Sequence, residues 1–200
     1  GDKMPPGRTL HIGVYNQSKG RYETMVGYSP EAVAASCSIP GIFEPVIING
    51  DEYVDGGMMH IIPIPAIKEW CGLTTRGDRL DIMCCYPICS FEEFHKTEYI
   101  CSNMSLMNEA LETFICLLWN NLQRDLNELT RYFGVNVRNN RVFKFQNISV
   151  RFFAPTKGIY SSFTDRNPVT LHSMFRHGGE VVRDLIRDPI NTHKEKLKFT

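Results

Sequence analysis

The chain has 200 residues, of which 42% are hydrophobic, enough for one sizeable core but hardly for two large domains. Lys plus Arg and Asp plus Glu each number 22, so the formal net charge is zero and a nucleic-acid partner is not expected. No N-terminal signal peptide is visible, and the longest apolar run, near residues 111 to 119, is too short to span a bilayer. We therefore expect a soluble domain that at most touches a membrane surface.

The strand and helix patterns begin near the N-terminus. "RTLHIGVY" and "RYETMVGY" flank the polar turn "NQSKG" and predict a strand pair. A short helix should follow, because Ser29 is a good N-cap and Pro30 suits the first helical position, and it should stop at Pro40. "FEPVIING" and "EYVDGG" then predict a hairpin around the turn "NGDE".

The second half of the chain alternates in the same way. "RLDIMCCYPI" is typical of a strand buried on both faces at the centre of a parallel sheet. Residues 105–133 have a helical period that ends near Gly134, and "RVFKFQNISVRFFAP" predicts a further strand segment. "TLHSMFRHGGEVVRDLIRD" predicts a terminal helix, followed by a frayed tail over residues 189–200. This alternation indicates an α/β domain.

The seven cysteines indicate a reducing environment, because their number is odd and several lie in apolar segments, as reduced buried thiols do. We expect an intracellular protein, either cytoplasmic or peripherally associated with a membrane. One cluster is close enough in sequence to raise a metal site: Cys84, Cys85, Cys89, His95 and Cys101. It contains no C-x-x-C pair, so strand-core cysteines are favoured, and we expect neither a metal ion nor another cofactor.

The motif that bears on chemistry is Asp55-Gly56-Gly57, which follows a predicted strand. An isolated Asp-Gly-Gly is most simply a turn whose Asp caps its own backbone. Its context is richer, because "EAVAASCSIPGIFEPVIINGDEYVDGGMMHIIPIPAI", residues 31–67, combines an Ala/Ser-rich helix, a Ser-x-x-I-P-G-x-F-x-P segment, a short hairpin and the Asp-Gly-Gly. This unit resembles the patatin-like phospholipase family.

The resemblance implies a three-layer α/β/α domain with a central, mostly parallel sheet. It also implies a Ser-Asp dyad without histidine or metal, in which Asp55 is the general base for a serine nucleophile. Gly56 and Gly57 would let the backbone turn sharply and leave space for that nucleophile. A partly dehydrated site would raise the proton affinity of the carboxylate.

Two departures from the family pattern stand out. The family has an Asn shortly before the proline, where this chain has Ile61 and Ile62, so a polar support of the loop is expected to be missing. The neighbouring His60 needs no function as a loop residue. The nucleophile elbow G-x-S-x-G is also absent: "GYSPE" at 27–31 fits a helix cap, and Ser36 and Ser38 are expected to pack or cap.

The resemblance covers residues 8–70 and about 141–188, and the helix over 105–133 is interpreted as a family-variable insertion. The chain is therefore expected to be the C-terminal half of a patatin-like domain over residues 8–188, with residues 1–7 as a linker or processed terminus. It would need a partner, the N-terminal half, which carries G-x-S-x-G and the glycine-rich oxyanion loop. The expected substrate is a lipid, presented free or at a membrane surface.

Alternatives remain open. The chain could be a catalytically silent structural or binding relative of these hydrolases. The helix over 105–133 could lie on a membrane or a partner helix, although its mixed charges favour core packing with an ordinary solvated face. Those charged residues are Glu109, Glu112, Arg124, Asp125, Glu128 and Arg131. The basic, aromatic stretch "RYFGVNVRNNRVFKF" could contact phosphates, although a solvated hairpin is favoured.

Overall fold

The computed structural model describes residues 7–74, 78–84, 86, 88, 105–155 and 168–187. The chain divides into two compact units, the first comprising Gly1–Leu73 and Asn120–Asp125, the second Thr74–Trp119 and Leu126–Thr200. The elements in chain order are β1 (His11–Asn16), β2 (Arg21–Val26), α1 (Pro30–Ser36), β3 (Val46–Ile48), β4 (Asp51–Asp55), a 3₁₀ turn (Gly56–Met58), α2 (Ile64–Leu73), β5 (Arg79–Met83), α3 (Ser105–Phe133), β6 (Val142–Phe145), β7 (Ile148–Phe153) and α4 (Pro168–Arg187).

The first unit contains an antiparallel sheet in the order β2-β1-β4-β3. Strand β1 alternates between buried and partly buried residues, which places Ile12 and Val14 in the core. The β3–β4 turn is made by Asn49 and Gly50, whose φ angles of 52° and 88° are those that a two-residue hairpin needs. β4 therefore lies between β1 and β3, and its last residue, Asp55, pairs with Val14.

Helix α1 covers one face of this sheet. Its first turn is capped by the Ser29 side chain, which accepts a hydrogen bond from the Ala32 backbone N–H at 3.2 Å. The small residues Ala32 and Ala35 are fully buried and pack with Ile12, Val14 and Tyr53. Burial of these small side chains brings the helix backbone close to the sheet, which positions the segment that follows α1.

The second unit contains a three-stranded sheet in the order β5-β7-β6, in which β5 and β7 are parallel and β6 and β7 antiparallel. The last turn of α3 contributes Phe133, whose ring makes edge-to-face contacts with Phe143 and Phe145 of β6. Helix α3 ends where Gly134 adopts a φ of 68°, the left-handed conformation common just after a helix.

Most of the predicted elements are confirmed within the described residues. These include the β1–β2 pair, helix α1 with its Ser29 cap, the β3–β4 hairpin, helix α3 over 105–133, and helix α4, which runs through Gly178 and Gly179 without a break. The mixed α/β class is confirmed too. The tail over 189–200, residues 1–6, and Cys85, Cys89, His95 and Cys101 lie outside the described residues.

Three predictions differ from the structure. Helix α2 was not predicted, because its apolar face begins within the proline-rich stretch "IIPIP". Residues 141–155 form a hairpin rather than one strand segment, with a turn at Gln146, whose φ is 53°. Strand β5 pairs in parallel as expected, but it lies at the edge of the described three-stranded sheet with Met83 68% exposed, so its predicted burial on both faces is wrong.

The predicted central, mostly parallel sheet is not confirmed, since of the pairings among the described strands only β5 with β7 is parallel. The local hairpins explain this result, because a short turn between two strands forces them to run antiparallel. The three-layer arrangement stays a prediction.

Candidate active site

Asp55 is held by its place in the sheet and by one backbone hydrogen bond from its N–H group. It ends β4 opposite Val14 of β1, and its N–H donates to the carbonyl of Ser38 at 2.9 Å. Ser38 follows helix α1, so this bond joins the Ser-x-x-I-P-G segment to the Asp-Gly-Gly turn. Ser36 and Ser38 donate their own hydroxyl groups to the carbonyls of Val33 and Ala34, each at 2.9 Å. These two serines therefore cap the end of α1, as predicted.

The Asp55 carboxylate has one constrained oxygen. Its Oδ1 accepts a hydrogen bond from the Gly57 N–H at 2.7 Å. Within the described part of the chain, no donor reaches Oδ2. The side chain is partly buried, and this burial raises the pKa of Asp55 above its ordinary value, while the Gly57 hydrogen bond acts in the opposite direction. The group thus combines a fixed orientation, raised proton affinity and an oxygen available to a second hydroxyl group.

Gly56 is required by a close approach of two backbones. A Cβ at this position would lie 2.6 Å from the carbonyl carbon of Gly13 and 2.8 Å from the nitrogen of Val14, both in β1. A Cβ at Gly57 would lie 3.0 Å from Asp55 Oδ1. Neither glycine adopts a positive φ. The glycines therefore serve close packing against β1 and Asp55 rather than a left-handed turn.

A single turn of helix α3, residues 121–125, supports the loop after Asp55. Asn121 donates through Nδ2 to the carbonyls of Met58 and Gly57, at 2.7 and 3.3 Å. The Arg124 guanidinium donates to the carbonyl of Met59. Asp125 accepts the backbone N–H of Ile62 at 3.1 Å. All these residues belong to the first compact unit. The expectation that this loop lacks polar support is therefore wrong.

His60 is part of the same arrangement. Its Nδ1 lies 3.0 Å from Asp125 Oδ1, and its ring meets that of Tyr22 edge to face, with centroids 5.0 Å apart. Burial, assisted by the negative charge of Asp125, raises the pKa of Tyr22 to about 12. Asp125 is fully buried, so its assignment to a solvated face of α3 is wrong. His60, expected to need no function, orients this loop.

Sequence reasoning missed Asn121, Arg124 and Asp125, although one signal was present. Asn121 and Asp125 are four residues apart, Leu118 precedes the first by three residues and Leu122 the second by three, so each shares a helix face with a leucine. Polar residues that share a helix face with leucines are expected to have buried partners. Those partners could not be identified from the sequence, because the loop that Asn121 and Asp125 bind lies about 65 residues away.

Among the residues that the structure describes, no group of three or more His, Cys, Asp or Glu side chains is placed to hold a metal ion. Over the same ranges, no helix is both long and apolar enough to cross a membrane. Of the described cysteines, Cys71 and Cys84 are buried as expected, whereas Cys37 and Cys116 are exposed, although Cys116 lies in the apolar run near residues 111–119.

The family model described as patatin-like phospholipase matches residues 8–67. This range begins before β1 and includes α1, the β3–β4 hairpin and the Asp-Gly-Gly turn. It ends at residue 67, within α2. A search among curated proteins found no match. The match supports the resemblance to these lipid acyl hydrolases for the segment that carries Asp55. Residues 141–188, which resemble the family more weakly, lie outside the matched range.

The contact between Gly56 and β1 predicts a large stability cost for a small substitution. Gly56→Ala should lower the free energy of unfolding by about 1–3 kcal/mol, because the new methyl group overlaps backbone atoms that cannot rotate away. Gly72→Ala is the control, since a Cβ there meets no atom within 4 Å in helix α2 and should stabilise by up to about 1 kcal/mol. Urea unfolding at constant pH measures both. Equal stabilities for the two variants would contradict the packing argument.

The raised pKa of Asp55 predicts a pH-dependent stability difference. The folded state retains this proton to higher pH than the unfolded chain, so ionisation of Asp55 destabilises the fold as pH rises through the raised value. Asp55→Asn should therefore be more stable than wild type near neutral pH, and the difference should vanish below the ordinary value of 3.8.

Urea unfolding of both proteins across this pH range tests the prediction. Asp184→Asn makes the same replacement on an exposed side chain of α4 and should change the free energy of unfolding by less than about 0.5 kcal/mol. A destabilised Asp55→Asn protein at neutral pH would show that the charge stabilises the turn.

Proposed function

We propose that this chain is the Asp-bearing half of a serine lipid acyl hydrolase of the phospholipase A type, with Asp55 as the general base of a Ser-Asp dyad. The observation that carries the proposal is the state of the Asp55 carboxylate. It is partly buried, has a raised pKa, and is oriented by the Gly57 N–H through one oxygen while, within the described residues, the other accepts no hydrogen bond. The family match over residues 8–67 supports the same chemistry.

In the proposed reaction, the serine hydroxyl donates to Asp55 Oδ2 before it attacks the ester carbonyl of a lipid. Asp55 takes the proton as the serine–acyl bond forms, then returns it to the departing alcohol. A water molecule, activated by the same carboxylate, then releases the fatty acid. The raised pKa matters because a more basic carboxylate shares a hydroxyl proton more effectively. Gly57 fixes the carboxylate, so the base needs no reorientation between the steps.

The serine and the oxyanion donors would come from polypeptide outside these 200 residues. The sequence contains no G-x-S-x-G, and Ser36 and Ser38 already donate to helix carbonyls. We infer a partner half that carries the elbow and the glycine-rich oxyanion loop, produced by cleavage of a precursor or encoded separately. Among the described strands, β5 lies at a sheet edge with Met83 68% exposed, and this supports the inference because an edge strand can pair with a strand of another chain.

The proposed complete domain has three α/β/α layers, and its mostly parallel sheet would form when partner strands add beside β5. Helix α3 would be the family-variable insertion of that domain. Buried thiols at Cys71 and Cys84 support a reducing, intracellular location for the protein, in the cytoplasm or at a membrane surface where lipids are presented.

A second function is favoured by a specific observation. Asp55 caps the 3₁₀ turn through Gly57, and this bond needs no serine. A catalytically silent binding protein that kept the turn for its structure would have the same contact. The two functions differ in whether removal of the carboxylate charge affects chemistry or only stability.

Intact mass spectrometry of the natively purified protein, first under native and then under denaturing conditions, tests for a partner. We expect a second polypeptide that contains G-x-S-x-G and reacts with a fluorophosphonate probe specific for activated serines. Within that complex, Asp55→Asn should lower ester hydrolysis by about 10²–10⁴-fold, while Asp184→Asn should leave it unchanged. An active complex that tolerates Asp55→Asn would refute the role of the base, and a folded chain with no partner would favour the silent relative.

The pH dependence of the complex provides an independent prediction. Asp55 acts as a base only when ionised, so kcat/KM should increase with pH through a midpoint above the ordinary carboxyl value of 3.8. The residual activity of Asp55→Asn should lack this limb. A wild-type profile with no rise attributable to Asp55 would indicate another base.

A further inference from the structure

We propose that Asn121 and Asp125 are positioning residues for Asp55: through one turn of helix α3 they hold the loop over residues 57–62, and so keep the Gly57 N–H on the Asp55 carboxylate. This inference rests on the proposed function for its catalytic meaning, but not for its geometry. We name Asn121, Arg124 and Asp125, with the backbone groups that they bind, the loop clamp.

Gly57 is the residue that orients the Asp55 carboxylate, through its N–H group. As a glycine, it is free to rotate about both backbone bonds unless its flanking peptide groups are fixed. The peptide before it is fixed because the Gly56 carbonyl accepts the N–H groups of Met59 and His60, each at 2.9 Å. The peptide after it is fixed because Asn121 donates to the Gly57 and Met58 carbonyls. Without Asn121, the second peptide would lose its side-chain restraint.

The end of the loop at His60 and Ile62 is held by Asp125. Asp125 binds the His60 ring through Oδ1 and the Ile62 N–H through Oδ2, at 3.0 and 3.1 Å. Asn121 and Asp125 are one helical turn apart, so they present their polar groups on the same face of α3. The loop is consequently attached at both ends to one rigid element. Tyr22 of β2 contacts the His60 ring from the sheet and limits its movement.

Burying the polar side chains of Asn121 and Asp125 costs free energy. Asn121 is 6% and Asp125 0% exposed, on a helix whose neighbouring buried residues are leucines. Burying a carboxylate is unfavourable unless hydrogen-bond donors surround it. A protein with an apolar residue of similar volume at such a position is often at least as stable. The donors from His60, Ile62 and the nearby Arg124 offset that cost. A polar pair at this position therefore specifies one loop conformation where leucine would only fill space.

The loop clamp also accounts for a departure of this chain from the family pattern. Ile61 and Ile62 occupy the part of the loop where the family has an Asn, and Ile62 is fully buried. The polar support comes instead from α3, the helix that we interpret as a family-variable insertion. A positioning task that the loop performs for itself in the family would here be assigned to a distant segment.

The test uses the full chain, labelled for NMR, with variants Asn121→Ala and Asp125→Asn. Arg131→Gln is the matched control, since Arg131 is exposed on the same helix and is not among the described residues that hydrogen-bond the loop. The Gly57 amide is the reporter, because it donates to Asp55 and its chemical shift should follow ionisation of that carboxyl group. In wild type and Arg131→Gln, we expect a full titration response and slow hydrogen exchange at Gly57.

In Asn121→Ala, the response of the Gly57 amide should fall at least two-fold and its exchange should accelerate at least ten-fold. Amides of β1 should not change, which shows that the sheet remains folded. Asp125→Asn, which keeps the shape but replaces one of the two accepting oxygens by an NH₂ donor, should accelerate exchange at Ile62. If the Gly57 response and exchange stay as in wild type while the melting temperature falls, the clamp only stabilises the fold and the proposal is wrong.

Kinetics of the complex separate this proposal from the proposed function. If Asp55 is the base and the clamp positions it, Asn121→Ala should lower kcat at least ten-fold with little change in KM. A wild-type kcat in Asn121→Ala, within a complex that Asp55→Asn inactivates, would overturn the positioning role while the proposed function stands. Loss of the Gly57 response in a protein that shows no hydrolysis with any partner would support positioning and refute the proposed function.

Discussion

The close contact between Gly56 and the backbone of β1 is the constraint on which the rest of the candidate site depends. With no Cβ at residue 56, the chain leaves β4 directly against Gly13 and Val14 and begins the 3₁₀ turn there. The end of β4, the cap on Gly57 and the partial burial of Asp55 all follow from that position. A larger residue would displace the turn from the sheet and expose the carboxylate, which would lower its proton affinity towards the ordinary value.

Two kinds of contact hold the site: backbone contacts within the sheet, and side-chain contacts from α3. Within the sheet, the position opposite Val14 and a hydrogen bond from the Asp55 N–H to the Ser38 carbonyl fix Asp55 at the end of β4. Outside the sheet, side chains from α3 hold a loop that has little regular structure of its own. The energetic difference is large in principle, because sheet contacts form with the fold whereas a buried Asn and Asp help only when every donor and acceptor is paired. In the proposed positioning role, substitutions in the loop clamp would disturb the geometry of Asp55 through the loop.

The proposed chemistry places a limited demand on this chain. A base for a serine nucleophile needs an oxygen that can accept the hydroxyl, a raised pKa and a fixed orientation. Within the described residues no hydrogen bond reaches Asp55 Oδ2, burial raises the pKa of Asp55, and the Gly57 N–H orients Oδ1. In the proposed function, the serine and the oxyanion donors come from another polypeptide segment. The proposed division places the base and its positioning residues in this chain, although they lie in distant parts of its sequence. It leaves the nucleophile as the component whose presence decides between an enzyme and a binding protein.

The sequence by itself determined the local elements and pointed to the residue that we propose as the base. Caps, periodicity and turn residues act over a few positions, so the Ser29 cap, the Asn49-Gly50 turn and the helix over 105–133 could be predicted. The Asp-Gly-Gly motif singled out Asp55. Only the tertiary structure decided the antiparallel pairing of β1 with β4, the edge position of β5 and the binding of the loop by Asn121 and Asp125. Those contacts join residues far apart in sequence, and no local pattern records which distant groups will pair.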